Sequence, residues 1–426
     1  MSLLNMYWYK NHFNSSFIHR KILILGVLVV LILLVNFLWL SCVTLREKNV
    51  VFVIYNRYGS SRMRGVMIAS AINQLVQTDI ERAWHASAIF DVNLSSELPQ
   101  DVDACVIVKA HRSMYLTEYN EAINLCKERG AIVYYDVLDN EPMLNYLSSW
   151  NITQPLPLGI DVVLTQTLKL ARILGLERAA VLYHHHTNPG FQLSESRVKE
   201  KVSCIGFLSG SKNNILTLNE SKALNTAIRR GSMYTADLLM ISQNIDTENQ
   251  IHNSYVIDSG VGSKHCKIAR PAPDDINISS ILKIDDSFGQ VQFHHDPILE
   301  DVSVAVLWPP DHGLVRIRPT IVERPPTRFL FWLSHGVPCI FYNYTSYTEI
   351  ARNHGYTLPG SAITPVVDST SDLERLLQVI VESAPIRASL RDRGLKIAER
   401  YTVRASAIKL VGVLEHFSHL KKHRRV

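Results

Sequence analysis

The sequence lacks the residue patterns on which several classes of protein depend. Its six cysteines are dispersed over 426 residues, and no two stand close enough to form a C-x-x-C pair, so the usual zinc knuckle is excluded. No internal repeat and no low-complexity tract is present, and a repeat architecture is therefore not expected. Three consecutive histidines, His184 to His186, imitate a metal cluster. Neighbouring strand residues point to opposite faces, so the three cannot easily share one ion, and we expect a loop feature.

The sequence also lacks a basic face of the kind that binds nucleic acid. Its net charge of +5 comes from the two ends of the chain, and the part between them is close to neutral. Seven basic residues account for this: Lys10, Arg20, Lys21, Lys421, Lys422, Arg424 and Arg425. We expect the basic C-terminal tail to be a solvated end, and no nucleic-acid partner.

One long apolar run lies near the start of the chain. Residues 22–43 carry no charge, and the run is long enough to span a bilayer core of roughly 30 Å at about 1.5 Å per residue. The alternative is a secretory signal peptide, but the run is too long for an h-region and no small-x-small cleavage site follows it. The run therefore predicts a transmembrane helix over 22–43, behind a cytosolic stub of residues 1–21.

The charges that flank the run predict its orientation. Lys10, Arg20 and Lys21 precede it without an acid, whereas the two basic residues that follow it enclose Glu47. The positive-inside rule therefore favours a type II single-pass protein whose large domain faces the Golgi or ER lumen. The alternative is an anchored enzyme that faces the cytosol. Five N-x-S/T sequons mildly favour the lumen: Asn93, Asn151, Asn219, Asn277 and Asn343.

The cysteines allow a disulfide without identifying one. Cys42 lies in the predicted membrane helix, and the other five could include a pair in an oxidising lumen. Their spacing does not say which residues would pair. Cys105 and Cys339 lie inside apolar runs, so both are predicted to be buried thiols.

The rest of the chain exceeds the usual size of one core, so two domains are expected. Short β-branched runs alternate with helical stretches, which indicates doubly wound parallel sheets. The first series of strands is predicted in the 50s and at 104–110, 131–138, 161–166 and 180–185, with helices at 65–77 and 116–129. The second is predicted at 202–210, 236–242, 289–295, 302–308, 337–343 and 364–368, with helices at 327–334, 371–383 and 387–400.

This pattern predicts an α/β fold of two tandem Rossmann-like domains behind the transmembrane helix. The N-terminal domain is expected over 44–190 and the C-terminal domain over 191–390, with the break near the turn-forming Asn188-Pro189-Gly190. Residues 243–288 are polar and poorly periodic, so an insertion or long loop is expected there. A closing helix and the basic tail are expected over 391–426.

The most informative segment runs from Arg324 to Glu349. It predicts a loop that holds Arg324 and Arg328, a helix that ends at Gly336, a buried strand, and a loop that bears Glu349. Thr327 is the expected N-cap, which puts Arg328 in the first helical turn. A cation beside the positive end of a helix dipole is unfavourable unless an anion binds there. A diphosphate would supply that anion, and Glu349 would accept hydrogen bonds from ribose hydroxyls.

This segment resembles the donor-binding segment of nucleotide-sugar glycosyltransferases of the two-Rossmann-domain (GT-B) fold, as in families 1 and 4. In that family a basic residue leads a helix that ends in A-x-G-x-P, and a ribose-binding glutamate follows the next strand. Gly336 to Pro338 match G-x-P, and Glu349 lies 13 residues after Gly336, the usual spacing. The chain departs at Phe331, where many retaining members carry a second glutamate, so retention and inversion both stay open.

The resemblance implies roles for further residues. Ser346 and Tyr347 would belong to the donor site, and the loop after the first strand of the C-terminal domain would meet the diphosphate through Gly206, Gly210 and Ser211. The first loop of the N-terminal domain would face the reacting sugar with Gly59, Ser60 and Arg64. Arg400-Tyr401 and the stretch after it resemble the closing C-terminal helix.

Three residues that follow predicted strands are candidates for catalysis. His111 comes after the 104–110 run and could act as a general base, although a lone histidine after a strand is more often structural. Asp136 and Asp139 lie at the end of the 131–138 run. One of them would bind acceptor hydroxyls or act as the base, and the alternative is that they cap the next helix.

No metal is expected in the donor site. Asp101 and Asp103 imitate the D-x-D motif with which other glycosyltransferases hold a metal-bound diphosphate, but they precede an apolar run instead of following one. Arg328 and helix dipoles would offset the charge of the leaving group instead.

The sequence as a whole predicts a membrane-anchored, metal-independent glycosyltransferase without a cofactor. It would transfer a hexosyl or related sugar from a nucleotide sugar, its co-substrate, to a glycan, glycoprotein or lipid-linked acceptor. The alternative is a catalytically inactive sugar-binding or scaffolding protein of the same fold.

Overall fold

The structure, a computed structural model, describes the chain in segments. These are residues 26–34, 47–54, 62–78, 84–90, 98–108, 117–137, 159–186, 201–202, 204–209, 218–233, 236–244, 254–258, 284–285, 290–291, 302–308 and 325–424. The chain forms two compact units, Met1–Lys48 and Asn49–Val426.

The first unit contains the predicted transmembrane segment. Of residues 22–43 the structure describes 26–34, which are helical and exposed. No helix within the described segments has both the length and the apolar character needed to cross a bilayer. The rest of the predicted span lies outside the described residues.

The second unit begins with a six-stranded sheet of order β2-β1-β3-β4-β5-β6. The strands are β1 Lys48–Ile54, β2 Trp84–Phe90, β3 Ala104–Val108, β4 Ile132–Asp136, β5 Val162–Thr165 and β6 Ala179–Val181. From β1 through β3, β4 and β5 to β6, every neighbouring pair is parallel. Phe52 and Tyr134 belong to the core on one face, and Val51 and Val133 to the core on the other. Burial on both faces explains why these runs are continuously apolar.

A second sheet follows, of order β14-β13-β12-β7-β8-β9. Its strands, with a separate antiparallel pair β10–β11, are β7 Cys204–Ser209, β8 Asp237–Asn244, β9 Ser254–Asp258, β10 Ile284–Asp285, β11 Gln290–Val291, β12 Val304–Leu307, β13 Cys339–Tyr342 and β14 Val366–Val367. Neighbouring strands are parallel except β8 and β9. The α/β prediction is confirmed. The second unit has a first half, built on strands β1–β6, and a second half, built on strands β7–β14, and each half contains one doubly wound sheet.

Helices connect and cover the strands. They are α1 Ile68–Thr78, α2 Thr117–Glu128, α3 Leu168–Leu174, α4 Leu218–Gly231, α5 Thr327–Ser334, α6 Thr345–Asn353, α7 Thr370–Glu382, α8 Ala384–Glu399 and α9 Val403–Arg424. A π-helical turn, Met63–Met67, leads into α1.

Several predicted elements need correction. The run at 180–185 forms a strand only as far as Val181. In the run at 289–295 the structure describes Gln290–Val291, which form a strand, and the other residues of that run lie outside the described segments. The 243–288 stretch is not wholly irregular, because Ser254–Asp258 adds an antiparallel edge strand to the second sheet. The sequence did not predict β2, α3, α4 or α6. The expected break at 188–190 lies outside the described residues.

The last helix, α9, returns to the first sheet, and it lies within the 391–426 segment for which a closing helix was predicted. Its apolar side chains join the core that contains Phe52 and Tyr134: Ala407, Leu410, Val411, Leu414 and Phe417. The Trp84 indole Nε1 donates to Glu415 Oε1 at 2.6 Å. The first half is therefore completed by the C-terminal end of the chain.

One prediction about the cysteines is wrong and another is confirmed. Cys105 is buried but is not a free thiol, since it forms a disulfide with Cys126 of α2. Cys204 is disulfide-bonded as well. Cys339 is the buried free thiol that the sequence predicts, and burial raises its pKa.

Gly206 lies inside β7, where it pairs with Ala305 and Leu239. A Cβ there would lie 2.7 Å from Val302 Cγ1 and 2.9 Å from Trp332 Cη2. The glycine lets α5 pack closely on the second sheet, so the structure gives this residue a packing role.

We expect Gly206→Ala to lower the free energy of unfolding by about 1–3 kcal/mol, because the added methyl overpacks the core against Trp332. Urea unfolding measures the change. Gly412→Ala is the matched control: Gly412 is exposed on α9 and nothing lies within 4 Å of its Cβ position. Alanine should there be neutral or stabilise by up to about 1 kcal/mol. Equal effects at the two sites would contradict the packing role.

Candidate functional site

The predicted donor helix is present as α5. Arg328 is its second residue, and no acid stands in its first turn. The N-cap is Pro326 and no side chain caps the helix, so the prediction of Thr327 as N-cap is wrong. The helix ends as expected at Gly336, which has φ +69°. The Gly336 amide donates to Leu333 O and the next amide to Trp332 O, a Schellman arrangement that requires the left-handed glycine.

The strand after α5 leads to a second helix N-terminus at the same sheet edge. β13 ends at Tyr342 and α6 begins at Thr345. Glu349 therefore lies on a helix, and the prediction of a loop is wrong. Ser346 and Tyr347 are buried in the first turn, and the Tyr347 ring stacks on Phe329 at 5.7 Å. These two side chains support the helix from the core side.

Glu349 joins the second half of the molecule to the first. Its Oε2 accepts from the Leu168 amide at 2.8 Å and from the Tyr183 hydroxyl at 2.7 Å. Its Oε1 accepts from the Lys169 amide at 3.1 Å. The two amides belong to the first turn of α3, where helical N–H groups have no partner within the helix. A carboxylate there is also favoured by the helix dipole.

Arg64 lies in the π-helical turn and not in a loop, which corrects the prediction that it faces a sugar from the first loop. Its guanidinium is buried, with Nε 2.6 Å from Asp136 Oδ2 and Nη1 3.1 Å from Tyr183 O. Asp136 is the last residue of β4, as predicted, but its carboxylate is committed to this ion pair. The structure thus brings together a predicted acceptor residue and a predicted catalytic residue.

The three histidines follow β6 outside any strand, as expected, and all are buried. His185 Nε2 lies 3.0 Å from Met63 O, and His186 Nε2 lies 3.2 Å from Ala398 O. The His186 amide donates to Tyr401 O. No group of three or more potential metal ligands occurs among the residues that the structure describes. The histidines tie residues 182–186 to the end of α8.

Burial sets the protonation of this region. Desolvation lowers the pKa of His185, and it lowers the pKa of His186 to about 3. Burial raises the pKa of Tyr401 to about 12, and the Glu349 carboxylate acts in the same direction. The imidazoles are therefore neutral and the phenol protonated near neutral pH.

The sequence missed the residues that face Glu349. Tyr183 and the α3 amides lie 166 and about 180 positions away, so only the fold brings them together. Several predicted site residues lie outside the described segments: Gly59, Ser60, His111, Asp139, Gly210, Ser211 and Arg324. Asp101 and Asp103 precede β3, which confirms that they stand at the amino end of that strand.

Comparison with solved structures finds glycosyltransferases of the GT-B fold among the similar chains. An α,α-trehalose-phosphate synthase from Burkholderia vietnamiensis shares 8% identity over 87% of this chain and 97% of its own, with a TM-score of 0.45. A Thermobaculum terrenum O-GlcNAc transferase mutant shares 11% over 89% and 69%, with a TM-score of 0.45. The N-terminal domain of Candida albicans trehalose-6-phosphate phosphatase shares 10% over 87% and 99%, with a TM-score of 0.47.

All three structures have identities of 11% or less to this chain and TM-scores below 0.5. No family model and no curated protein matches the sequence. The two doubly wound sheets are established by the strand order and the strand pairing of the chain itself.

A double-mutant cycle can test the ion pair between Arg64 and Asp136. Breaking a buried pair from one side leaves an uncompensated charge, so Arg64→Met or Asp136→Leu alone should cost about 3–5 kcal/mol of unfolding free energy. Arg64 Nη2 has no hydrogen-bond partner among the described residues, so the pair is not fully satisfied. The double variant should therefore lose much less than either single variant.

Urea unfolding of the four proteins measures this coupling. The exposed pair of Arg375 and Asp372 is the control, and Asp372→Asn should change stability little. Additive losses at Arg64 and Asp136 would contradict the pairing.

The buried histidines predict acid sensitivity. The folded pKa of His186, about 3, lies below its ordinary value of 6.5, so the unfolded chain binds more protons between these limits. Stability contributed by the neutral form is then present above pH 6.5 and is lost toward pH 3, at about 1.4 kcal/mol per pH unit. His186→Gln should flatten the pH dependence of the unfolding free energy over this window. His85→Gln, a change at an exposed position of β2, is the matched surface control.

Proposed function

We propose that the chain is a glycosyltransferase whose donor is a nucleotide sugar. One observation carries the proposal. The N-termini of α5 and α6 follow the adjacent parallel strands β12 and β13, and they bring Arg328 and Glu349 to one edge of the second sheet. Ligands of open α/β sheets bind outside the carboxyl ends of the strands, and helix N-termini favour anions.

The proposed roles follow from this placement. Arg328, with Arg324, neutralises the nucleotide diphosphate, which arginine can contact through two parallel hydrogen bonds. Glu349 accepts hydrogen bonds from the ribose. The acceptor, a glycan, glycoprotein or lipid-linked sugar, enters from the first half. His111 and Asp139 are the candidate bases, since Asp136 is already paired with Arg64. The transferred group is a hexosyl or related sugar, and the transfer needs no metal or cofactor.

We also propose a lumenal location for the catalytic domain, behind the predicted helix over 22–43. The disulfide between Cys105 and Cys126 supports this location, because such bonds persist in oxidising compartments. The basic residues before the apolar run support the same orientation.

A second candidate function is a non-enzymatic sugar-binding or scaffolding role. It is favoured by Phe331, which stands where many retaining relatives carry glutamate. Its ring lies 4.4 Å from the His335 ring and 5.4 Å from Trp332, centroid to centroid. The position serves packing in this chain.

Calorimetry on the full-length chain in detergent, with UDP, GDP, CMP and their sugars, tests the donor site. We expect one nucleotide to bind, and Arg328→Ala to weaken it by about 1.5–3 kcal/mol, the range for a hydrogen bond to a charged group. Arg375→Ala, an exposed arginine on α7, is the matched control and should bind normally. Absence of binding by every nucleotide would contradict the donor-site assignment. Binding without release of nucleotide from any sugar donor would favour the scaffolding role.

A further inference from the structure

The carboxylate of Glu349 already accepts hydrogen bonds from protein donors. Three donors reach it: the amides of Leu168 and Lys169 and the hydroxyl of Tyr183, at 2.7–3.1 Å. All three belong to the first half of the molecule, whereas Glu349 lies on α6 of the second. The residue therefore has a structural task that is separate from donor binding.

The two tasks cannot be carried out fully at the same time. A carboxylate offers about four acceptor positions, and three are in use. The two hydroxyls of a ribose would need two positions. At least one contact to the first half has to break before the ribose can be held by both hydroxyls.

The first-half partners are fixed in place, so they compete instead of moving with Glu349. The Tyr183 ring packs edge-on against Tyr401 at 5.8 Å, and Lys409 Nζ lies 5.3 Å from its centroid. Thr167 Oγ1 caps α3 through the Leu170 amide, which leaves the Leu168 and Lys169 amides to Glu349.

We propose that Glu349 is a latch with two alternative sets of partners. Without ligand it ties α3 and Tyr183 to α6. When a nucleoside diphosphate binds, its ribose hydroxyls take the carboxylate and the tie between the halves is released. This inference rests on the proposed function, because it assumes that the ribose binds at Glu349.

The latch predicts that nucleotide binding speeds hydrogen exchange at two amides, which is the opposite of the usual protection by a ligand. Saturation of the full-length chain with the nucleotide that binds should speed exchange of the Leu168 and Lys169 amides, because they lose their acceptor to the ribose. Glu349→Ala without nucleotide should show the same fast exchange. The Ala171 amide, which donates to Thr167 O within α3, is the internal control and should not change.

The latch also predicts that removal of a competitor strengthens binding. Tyr183→Phe keeps the ring and deletes the hydroxyl, so UDP or GDP, whichever binds, should bind about fivefold more tightly, the equivalent of one net hydrogen bond. Tyr134→Phe is the matched control. The Tyr134 hydroxyl is buried in the first half without a hydrogen-bond partner among the described residues, and its loss should not alter affinity.

The outcomes separate the two proposals. Faster exchange together with tighter binding by Tyr183→Phe supports the latch. Normal nucleotide binding with unchanged or slower exchange at Leu168 and Lys169 overturns the latch and leaves the proposed function in place. Weaker binding by Tyr183→Phe overturns it too, since Tyr183 would then position Glu349 for the ribose. Failure of every nucleotide to bind overturns both.

Discussion

The polar contacts between the two α/β halves are the interaction on which the rest of the candidate site depends. Each half buries both faces of its sheet with its own helices, and α9 from the end of the chain completes the first half. The halves then meet through hydrogen bonds: the His186 amide to Tyr401 O, His186 to Ala398 O, and Tyr183 and α3 to Glu349. Such contacts are directional and individually modest, about 1 kcal/mol each. They specify one arrangement, to which Tyr183 adds an apolar contact, because its side chain belongs to the core of the second sheet.

This difference in bonding has a consequence for function. Close-packed apolar layers resist rearrangement, because even a small shift of their side chains disturbs the packing. Hydrogen bonds to a single carboxylate can be exchanged one for another when a ligand brings hydroxyls of its own. α5 and β13 belong to the core of the second sheet, whereas the Glu349 carboxylate on α6 reaches Tyr183 and α3 of the first half by hydrogen bonds. Under the proposed function, a ligand that binds at Glu349 would therefore change the contacts between the halves.

The sequence predicted the strands that are buried on both faces, because their sequences are continuously apolar. It missed elements that are buried on one face only. β3, β4 and β13 are short, continuously apolar runs, and their positions are correct within two residues. β2, WHASAIF, alternates buried and exposed side chains at the sheet edge, and it carries no such run. The seven-residue α3 is too short for helical periodicity to show. The α5 segment was placed correctly because its arginine, its terminal glycine and the buried strand after it each have a local cause.

The candidate site was harder to predict, because its geometry depends on partners far apart in sequence. Arg64 belongs to a stretch rich in glycine, serine and arginine, which is typical of an exposed loop. Its burial follows from Asp136, 72 positions later, and from Tyr183 O. Thr327 was predicted as the N-cap because threonine often is one, yet Pro326 is the N-cap and Thr327 is the first helical residue. Glu349 was placed at the correct edge, but its protein partners could not be found without the fold.

Charge explains why the histidines belong to this arrangement. Arg64 is balanced by Asp136 inside the first half, and the Glu349 carboxylate faces amides and a neutral phenol. Burial lowers the pKa of His185, and the charge of Arg64 acts in the same direction, because a protonated His185 would add a second cation beside it. Neutral imidazoles can hold Met63 O and Ala398 O by hydrogen bonds without adding to the positive charge. The halves are thus joined by neutral hydrogen-bond donors and by one carboxylate, that of Glu349, whose hydrogen-bond partners can be exchanged. Under the proposed function, an incoming diphosphate would be drawn to Arg328 and the helix N-termini of the second sheet.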